Sequence, residues 1–141
     1  MHAELITSEG TAYSGDILSV TLPSGMGEIT ILKNHIPLLS TVEPGTVIIR
    51  TLDGEEHYYA VARGVVQVGR MGLRILSDIA DRAENLEEAA IELAKVRAEE
   101  LRDARRGDAA GFAEAQATLE REIARITTIH RLRSGSRRRR S

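Results

Sequence analysis

The hydrophobic pattern of this chain changes its period near Asp81, and that change limits what the chain can fold into. Upstream, β-branched and aliphatic residues alternate with polar ones in short runs, as in half-buried strands. Downstream, apolar residues recur every three to four positions among Glu, Lys and Arg, as in amphipathic helices. The sequence therefore predicts two modules, a β-structured one followed by a helical one.

The first module contains several short strands separated by turn sequences rich in Gly and Pro. We predict strands at Ala3–Thr7, Ile17–Leu22, Ile29–Leu32, Val47–Leu52, Tyr58–Ala62, Val65–Val68 and Leu73–Leu76. Short strands at this spacing indicate an antiparallel sandwich or barrel. Since tyrosine is the only aromatic residue type in this half, we expect a core made mainly of Ile, Val and Leu.

The second module is predicted to be two helices that fold back as an antiparallel hairpin over 83–133. Gly107 ends the first helix, and Asp108 is a plausible N-cap of the second. The predicted apolar stripe of the first helix is Leu86, Ala89, Ala90, Leu93, Val96, Leu101 and Ala104. The stripe of the second is Phe112, Ala115, Leu119, Ile123, Ile126 and either Ile129 or His130. This seam is rich in Ala and buries little apolar area, so we expect opening to be cheap.

If the hairpin opened, it could act as an arm. One continuous helix over 84–133 would reach about 75 Å, at about 1.5 Å per residue. A tail at 134–141 follows, in which Arg137 to Arg140 lie among Ser and Gly, and we expect it to be disordered when free.

Composition excludes several classes of function. There is no cysteine, so disulfides and thiolate metal sites are excluded, and the histidines have no recognisable metal spacing. The apolar stretches are too short to span a bilayer, and we expect a soluble chain that faces the cytosol. The pI near 6 argues against a dedicated nucleic-acid protein. No acid, base and nucleophile form a recognisable catalytic set, so an enzyme is not expected.

One collinear series of motifs carries a family resemblance. The string GEITILKNHIPLL at 27–39, followed by Glu43-Pro44-Gly45-Thr46-Val47, resembles the epsilon subunit of F-type rotary ATP synthases. Ser14-Gly15, Tyr59-Ala60-Val61 and the helical segment at 95–101 fit the same family in order. The resemblance covers roughly residues 1 to 132.

The resemblance implies a flattened antiparallel β-sandwich at 1–82 followed by the helical hairpin and the basic tail. It also implies a noncatalytic rotor subunit, without a cofactor or metal, that binds the gamma subunit and rests on the c-ring. Carried over by position, the c-ring contacts are Glu28, His35, Pro37 and Leu38. The expected location is peripheral, at the cytoplasmic face of the bacterial inner membrane, and the coupling ion, proton or sodium, is left open.

The resemblance further implies that the helices of 83–133 inhibit ATP hydrolysis. In that family they extend along gamma, and basic side chains of the second helix meet acidic helices of the catalytic subunits. The residues that fit this role are Arg121, Arg125, Arg131 and Arg133. ATP binding to the folded hairpin is expected to be weak or absent, because Ala90 stands where ATP-binding members have an arginine.

A second interpretation stays open. The chain could be a freestanding β-sandwich adaptor whose helical arm or basic tail binds an acidic protein or nucleic acid. A stable complex with a gamma subunit through the sandwich would distinguish the rotor subunit from the adaptor.

Overall fold

The computed structural model describes the backbone of residues 1–140 and the side chains of residues 1–135. Within that range the β-module has nine strands: β1 His2–Thr7, β2 Gly10–Ser24, β3 Gly27–Leu32, β4 Leu38–Val42, β5 Gly45–Thr51, β6 Glu56–Val61, β7 Gly64–Val68, β8 Gly72–Ser77 and β9 Ala80–Arg82. A 3-10 turn at Ala83–Asn85 leads into α1 Glu88–Ala104, and α2 spans Ala109–Arg140. The seven predicted strands are confirmed, whereas β4 and β9 are not among the predicted strands.

The strands form a β-sandwich in which the long strand β2 serves both layers. The hydrogen-bonded order is β1-β8-β7-β4-β2-β5-β6-β9, with β3 beside the second half of β2 and β1 also paired with its first half. A register shift between Ile17 and Ser19 marks where β2 passes from β1 to β5. The predicted antiparallel arrangement is confirmed except for β1 and β8, which pair in parallel.

The core of the sandwich is aliphatic, as predicted, with Tyr59 as its buried aromatic residue. Its fully enclosed side chains come from both layers and include Leu5, Ile17, Val20, Leu22, Ile31, Val42, Val47, Val61 and Val66. In β3, Ile29 and Ile31 face this core, so the alternate residues Glu28 and Thr30 lie on the outer face of the sheet.

The two helices form an antiparallel hairpin, as predicted. Glu88 at the start of α1 contacts His130 in the second half of α2, and Arg102 near the end of α1 contacts Gln116 in its first half. In addition, α2 contacts β5 and β6 along its other side. The hairpin is therefore docked on the sandwich through α2, while α1 is the outer helix.

The predicted apolar stripe of α1 is wrong in phase. The side chains that α1 buries are Ile91 and Ala98, whereas Leu93, Val96 and Leu101 remain exposed. Ile91 packs with Leu86, Ile126 and Ile129, and this small cluster sets the rotation of α1 against α2.

The stripe of α2 is confirmed in part. Ala115, Leu119, Ile126 and Ile129 are buried, but Phe112 and Ile123 are 36% and 44% exposed. Because α2 has two neighbours, it also buries Ala124 and Thr128 on a second face, toward the sheet. A single amphipathic stripe does not describe a helix that packs on two sides.

Residues 134–140, predicted to be a disordered tail, instead continue α2 to Arg140. Gly135 lies against the ring of Tyr58 in β6, so the helix is still in contact with the sheet at that point. Arginine is also a good helix former, which favours continuation past Ser134. The side chains of Arg137 to Arg140 and the whole of Ser141 lie outside the described residues, as does the predicted binding role of those arginines.

Candidate functional site

The four residues predicted to contact the c-ring do not lie together. Glu28 is at the start of β3, whereas His35, the exposed Pro37 and Leu38 follow its other end. A strand rises about 3.3 Å per residue, so the five residues from Glu28 to Lys33 separate the two places by about 17 Å. The predicted contact set is thus divided between opposite ends of the sandwich.

The turn that contains His35 is held by local hydrogen bonds. The backbone N–H of His35 donates to the carbonyl of Leu32 at 3.1 Å, and Nδ1 of its ring bonds to the carbonyl of Ile36 at 2.7 Å. Asn34 has a φ of 68°, a left-handed conformation that asparagine tolerates. Leu38 then packs against the core and anchors the turn. The result is a projecting turn whose shape is fixed before any partner binds.

Glu28, by contrast, contacts the helical arm. Its carboxylate accepts a hydrogen bond from the guanidinium of Arg131 at 2.9 Å, and both side chains are partly exposed. A predicted ring contact and a predicted inhibitory residue therefore engage each other in this conformation.

Two further arginines of α2 contact acids near the end of the sandwich module. Arg125 donates from Nε to Asp81 at 2.8 Å, and Arg121 lies 3.6 Å from Asp78. The two arginines are four residues apart, about one turn of α2, so both lie on the side of the helix that faces the acids around β9. Neither pair alone signals this contact in the sequence.

Arg125 is the most buried of these cations, and it also contacts the nearly buried Glu122. Burial by itself would lower the pKa of Arg125, but the hydrogen bond and charge of Asp81, together with Glu122, outweigh it and raise the pKa. The guanidinium therefore stays charged and holds two carboxylates next to the sheet.

Between these ion pairs lies a buried hydrogen bond that the sequence analysis missed. The hydroxyls of Thr46 in β5 and Thr128 in α2 are 2.8 Å apart, and both side chains are enclosed. Thr128 also donates to the carbonyl of Ala124 at 2.7 Å, so Thr46 is the donor in the pair. In the sequence, this hydrogen bond is indicated only by Thr128, a polar residue next to the apolar residues of α2 that are predicted to be buried.

The last predicted arginine, Arg133, acts within the hairpin. It contacts Glu88 at 2.6 Å, and Nε2 of His130 lies 3.0 Å from the other oxygen of the same carboxylate. The hydrogen bond from His130, followed by that from Arg133, lowers the pKa of Glu88. The contacts of Glu88 with His130 and Arg133 thus join the start of α1 to α2, at the end of the hairpin opposite the connection between the helices.

The face of α1 that carries Leu93, Val96 and Leu101 is partly exposed to solvent. Leu93, Val96 and Leu101 are each about half exposed, and they form the stripe that the sequence analysis assigned to the seam. In the docked conformation this stripe is accessible to another protein.

Among residues 1–135, no three His, Asp or Glu side chains come together as metal ligands. Arg121 and Arg125 are engaged by the carboxylates of Asp78 and Asp81, so a nucleotide phosphate could bind these arginines only by displacing the two carboxylates. Within the described segment, neither helix carries an apolar stretch of the length needed to cross a bilayer.

Comparison with known proteins gives a consistent family. Residues 1–83 match the family model described as the beta-sandwich domain of the ATP synthase delta/epsilon chain. The chain is 39% identical over 137 residues to the ATP synthase epsilon chain of Bordetella avium, covering 96% of this chain and 95% of the relative. It is 35% identical over 133 residues to that of Nitrosococcus oceani, covering 94% of each.

Solved structures share the fold at low sequence identity. One is a chain from the Euglena gracilis mitochondrial ATP synthase, in an OSCP/F1/c-ring structure, with a TM-score of 0.71, 18% identity and coverage of 84% of this chain and 74% of that one. Another is from the central stalk and c-ring structure of the Tetrahymena thermophila mitochondrial ATP synthase, with a TM-score of 0.59, 13% identity and coverage of 92% and 96%.

Proposed function

Because the chain belongs to the delta/epsilon chain family of ATP synthases, we propose that it is a noncatalytic central-stalk subunit that rotates with gamma and the c-ring. The similarity to epsilon chains, at 35–39% identity, supports this assignment because the aligned region covers nearly the whole chain and so includes the helices as well as the sandwich. A rigid sandwich with a preformed turn at one end suits a part that transmits torque by contact and needs no chemistry of its own.

The c-ring contact falls to the turn with His35, Pro37 and Leu38. This turn projects from the sandwich, is closed by its own hydrogen bonds and is anchored by Leu38, so docking costs little ordering entropy. Glu28 lies about 17 Å away, at the other end of β3, and would form a separate contact with the ring only after releasing Arg131, to which it is hydrogen-bonded in the docked conformation. The subunit would then be peripheral at the cytoplasmic face of a bacterial inner membrane.

The second part of the proposed function is restraint of ATP hydrolysis by α1 and α2. The observation that supports it is that three arginines of α2 each contact a carboxylate of the sandwich module or its end, namely Glu28, Asp78 and Asp81. Acidic helices of a catalytic subunit would compete for the same cations. The more exposed pairs of Arg121 and Arg131 contribute about 0–1 kcal/mol each, so their exchange is feasible, whereas the part-buried Arg125 is held more strongly.

The exposed stripe of α1 supports the same movement. An extended arm needs an apolar face for its new partner, and Leu93, Val96 and Leu101 are already available for one. Most of the cost of opening then falls on α2, which must leave the small Ile91 cluster and the Thr46 hydrogen bond.

A disulfide lock tests this proposal. The native chain has no cysteine, and the hydroxyls of Thr46 and Thr128 are 2.8 Å apart, so the double variant Thr46→Cys/Thr128→Cys should cross-link α2 to β5. ATP hydrolysis by an alpha-beta-gamma complex from the same source is measured with the oxidised and the reduced variant. We expect inhibition from the reduced chain and its loss on oxidation, while binding to gamma is unchanged.

Two results would contradict parts of this proposal. Equal hydrolysis rates with the oxidised and reduced chains would remove the inhibitory role but leave the rotor role. Failure of both forms to bind gamma would remove the rotor role and favour a freestanding adaptor.

A further inference from the structure

The contacts of α2 with the sandwich module follow one face of the helix. They recur every three or four residues, at Arg121, Arg125, Thr128, Arg131 and Gly135. This spacing keeps all five on the same side of α2. Because a helix rises about 1.5 Å per residue, the line of contact is about 21 Å long. Its last member lies in the segment 134–140, which the sequence alone predicts to be a disordered tail.

Gly135 is an unfavourable residue at its place in α2. It stands five residues before the end of the helix, between two serines, and glycine is the poorest helix former after proline. Local propensity therefore opposes the continuation of the helix through this point. Since most helical stability in proteins comes from packing, the segment needs a contact with the rest of the molecule to stay helical.

Tyr58 of β6 supplies this contact and leaves room only for glycine. A Cβ at position 135 would overlap the hydroxyl oxygen of Tyr58 and would lie 3.2 Å from Cζ of its ring. The ring is not free to move aside, because Tyr58 is 7% exposed and its hydroxyl donates to Glu56 at 2.8 Å. The backbone of α2 thus lies against a buried side chain of the sheet, and a larger residue at 135 would lift it.

The contact at Gly135 also protects the one before it. The pair of Arg131 and Glu28 is partly exposed, so water and salt compete with it. If α2 ended before residue 134, this pair would lie in the last turn, and helix ends fray. Because α2 continues to Arg140, the frayed end is moved beyond the line of contact.

We propose that residues 134–140 form a strap that holds the helical arm on the sandwich, with Gly135 against Tyr58 as its point of contact. The strap shifts the equilibrium between the docked and the free arm toward the docked one. Its loss raises the free population of the arm while the sandwich itself stays folded. One consequence rests on the proposed function: a chain with a loosened strap restrains ATP hydrolysis more strongly.

Gly135→Ala tests the strap, because the presence and the absence of the contact give opposite signs. Without the contact, alanine would strengthen the helix and slow amide exchange across 121–132 about four- to fivefold. With the contact, the added Cβ lifts α2 from Tyr58 and speeds this exchange about tenfold or more. Exchange in β2 and β5 reports global unfolding and should keep its native rate.

Two further variants assign the effect to this contact. Gly111→Ala is the matched control, since Gly111 is also in α2 but its Cβ would meet only the ends of the exposed side chains of Arg105 and Asp108. It should exchange no faster than the native chain. Gly135→Ala/Tyr58→Phe lacks the hydroxyl that the Cβ overlaps, so it should exchange no faster than Tyr58→Phe alone.

The strap is refuted if Gly135→Ala exchanges across 121–132 at the native rate or more slowly. It is also refuted if exchange in β2 and β5 accelerates equally, because the substitution would then disturb the whole fold and not the docking of α2. In either case the disulfide lock between positions 46 and 128 still decides the proposed function.

ATP hydrolysis by the alpha-beta-gamma complex, measured with the native chain and with Gly135→Ala, separates the two conclusions. We expect the variant to inhibit at a lower concentration than the native chain. If Gly135→Ala speeds exchange across 121–132 but inhibits no more strongly, the strap stands and restraint of hydrolysis by the free arm is refuted.

Discussion

The hydrogen bond between Thr46 and Thr128 gives a sharp prediction about how α2 is held on the sandwich. Thr128→Val keeps the shape and branching of the side chain but removes its hydroxyl. Because Thr128 donates to Ala124, the hydroxyl of Thr46 is the donor to Thr128, and the substitution leaves that donor buried without an acceptor.

The magnitude follows from the asymmetry of buried hydrogen bonds. Leaving one buried polar group unpaired costs about 1–3 kcal/mol, whereas replacing both partners with apolar groups of the same shape is nearly neutral. Thr128→Val should therefore raise the detached population of α2 about 5- to 150-fold, at about 1.4 kcal/mol for each factor of ten. The double variant Thr46→Val/Thr128→Val should restore most of the docking.

Amide hydrogen exchange across 121–132 measures this detachment, and exchange in β2 and β5 reports global unfolding separately. Thr127→Val is the matched control, since Thr127 is the exposed neighbour on the same helix. The reasoning is refuted if the single variant exchanges like the native chain. It is equally refuted if the double variant exchanges faster than Thr128→Val, because the effects would then add instead of compensating.

Three other predictions concern charge, pH and packing. Arg125→Ala should lower the free energy of unfolding by about 2–3 kcal/mol, because it leaves the nearly buried Glu122 unpaired. Arg121→Ala should lower it by less than about 1 kcal/mol, because its partner Asp78 is exposed. Equal losses in denaturant titrations of the two variants would contradict this. Because the pKa of Glu88 is lowered from its ordinary value of 4.5, its pairing with His130 and Arg133 stabilises the hairpin above pH 4.5 and is lost as pH falls through the lowered pKa. Exchange protection at the start of α1, corrected for intrinsic rates, should therefore be retained down to pH 4.5 and fall below it, whereas Glu88→Gln should be poorly protected throughout. Gly64→Ala should prevent stable folding, because the added Cβ would overlap the carbonyl of Leu76. Gly69→Ala is the control and should keep the native melting temperature, because a Cβ there would have no atom within 4 Å. A well-folded Gly64→Ala variant would show that β7 and β8 can separate without loss of the fold.

The sheet could be predicted in outline because strand signals are local. Alternation of apolar and polar residues located seven of the nine described strands, with turn residues between them. The other two lack such a signal: β4 begins directly after the His35 turn, and β9 has three residues that are paired with β6 but only half-buried. The parallel pairing of β1 and β8 joins residues about seventy positions apart, which no local pattern records.

The candidate site was less predictable than the fold. The resemblance predicted Glu28 and His35 as one contact, but β3 separates them. The acids that pair with α2, Asp78 and Asp81, could be identified only from the tertiary structure. Asp78 and Asp81 look like ordinary solvated carboxylates in the sequence. Their importance arises from being opposite Arg121 and Arg125, across more than forty residues of chain.

The sequence by itself determined the change from strands to helices near Asp81, the aliphatic core and the turn that contains His35, because each depends on residues that are neighbours in the chain. Only the tertiary structure decided which face of each helix is buried. An amphipathic helix has an apolar direction, but its rotation is set by the shape of what it packs against. Here α2 packs against both α1 and the sheet, so Ile91 is buried while the stronger stripe of α1 stays exposed.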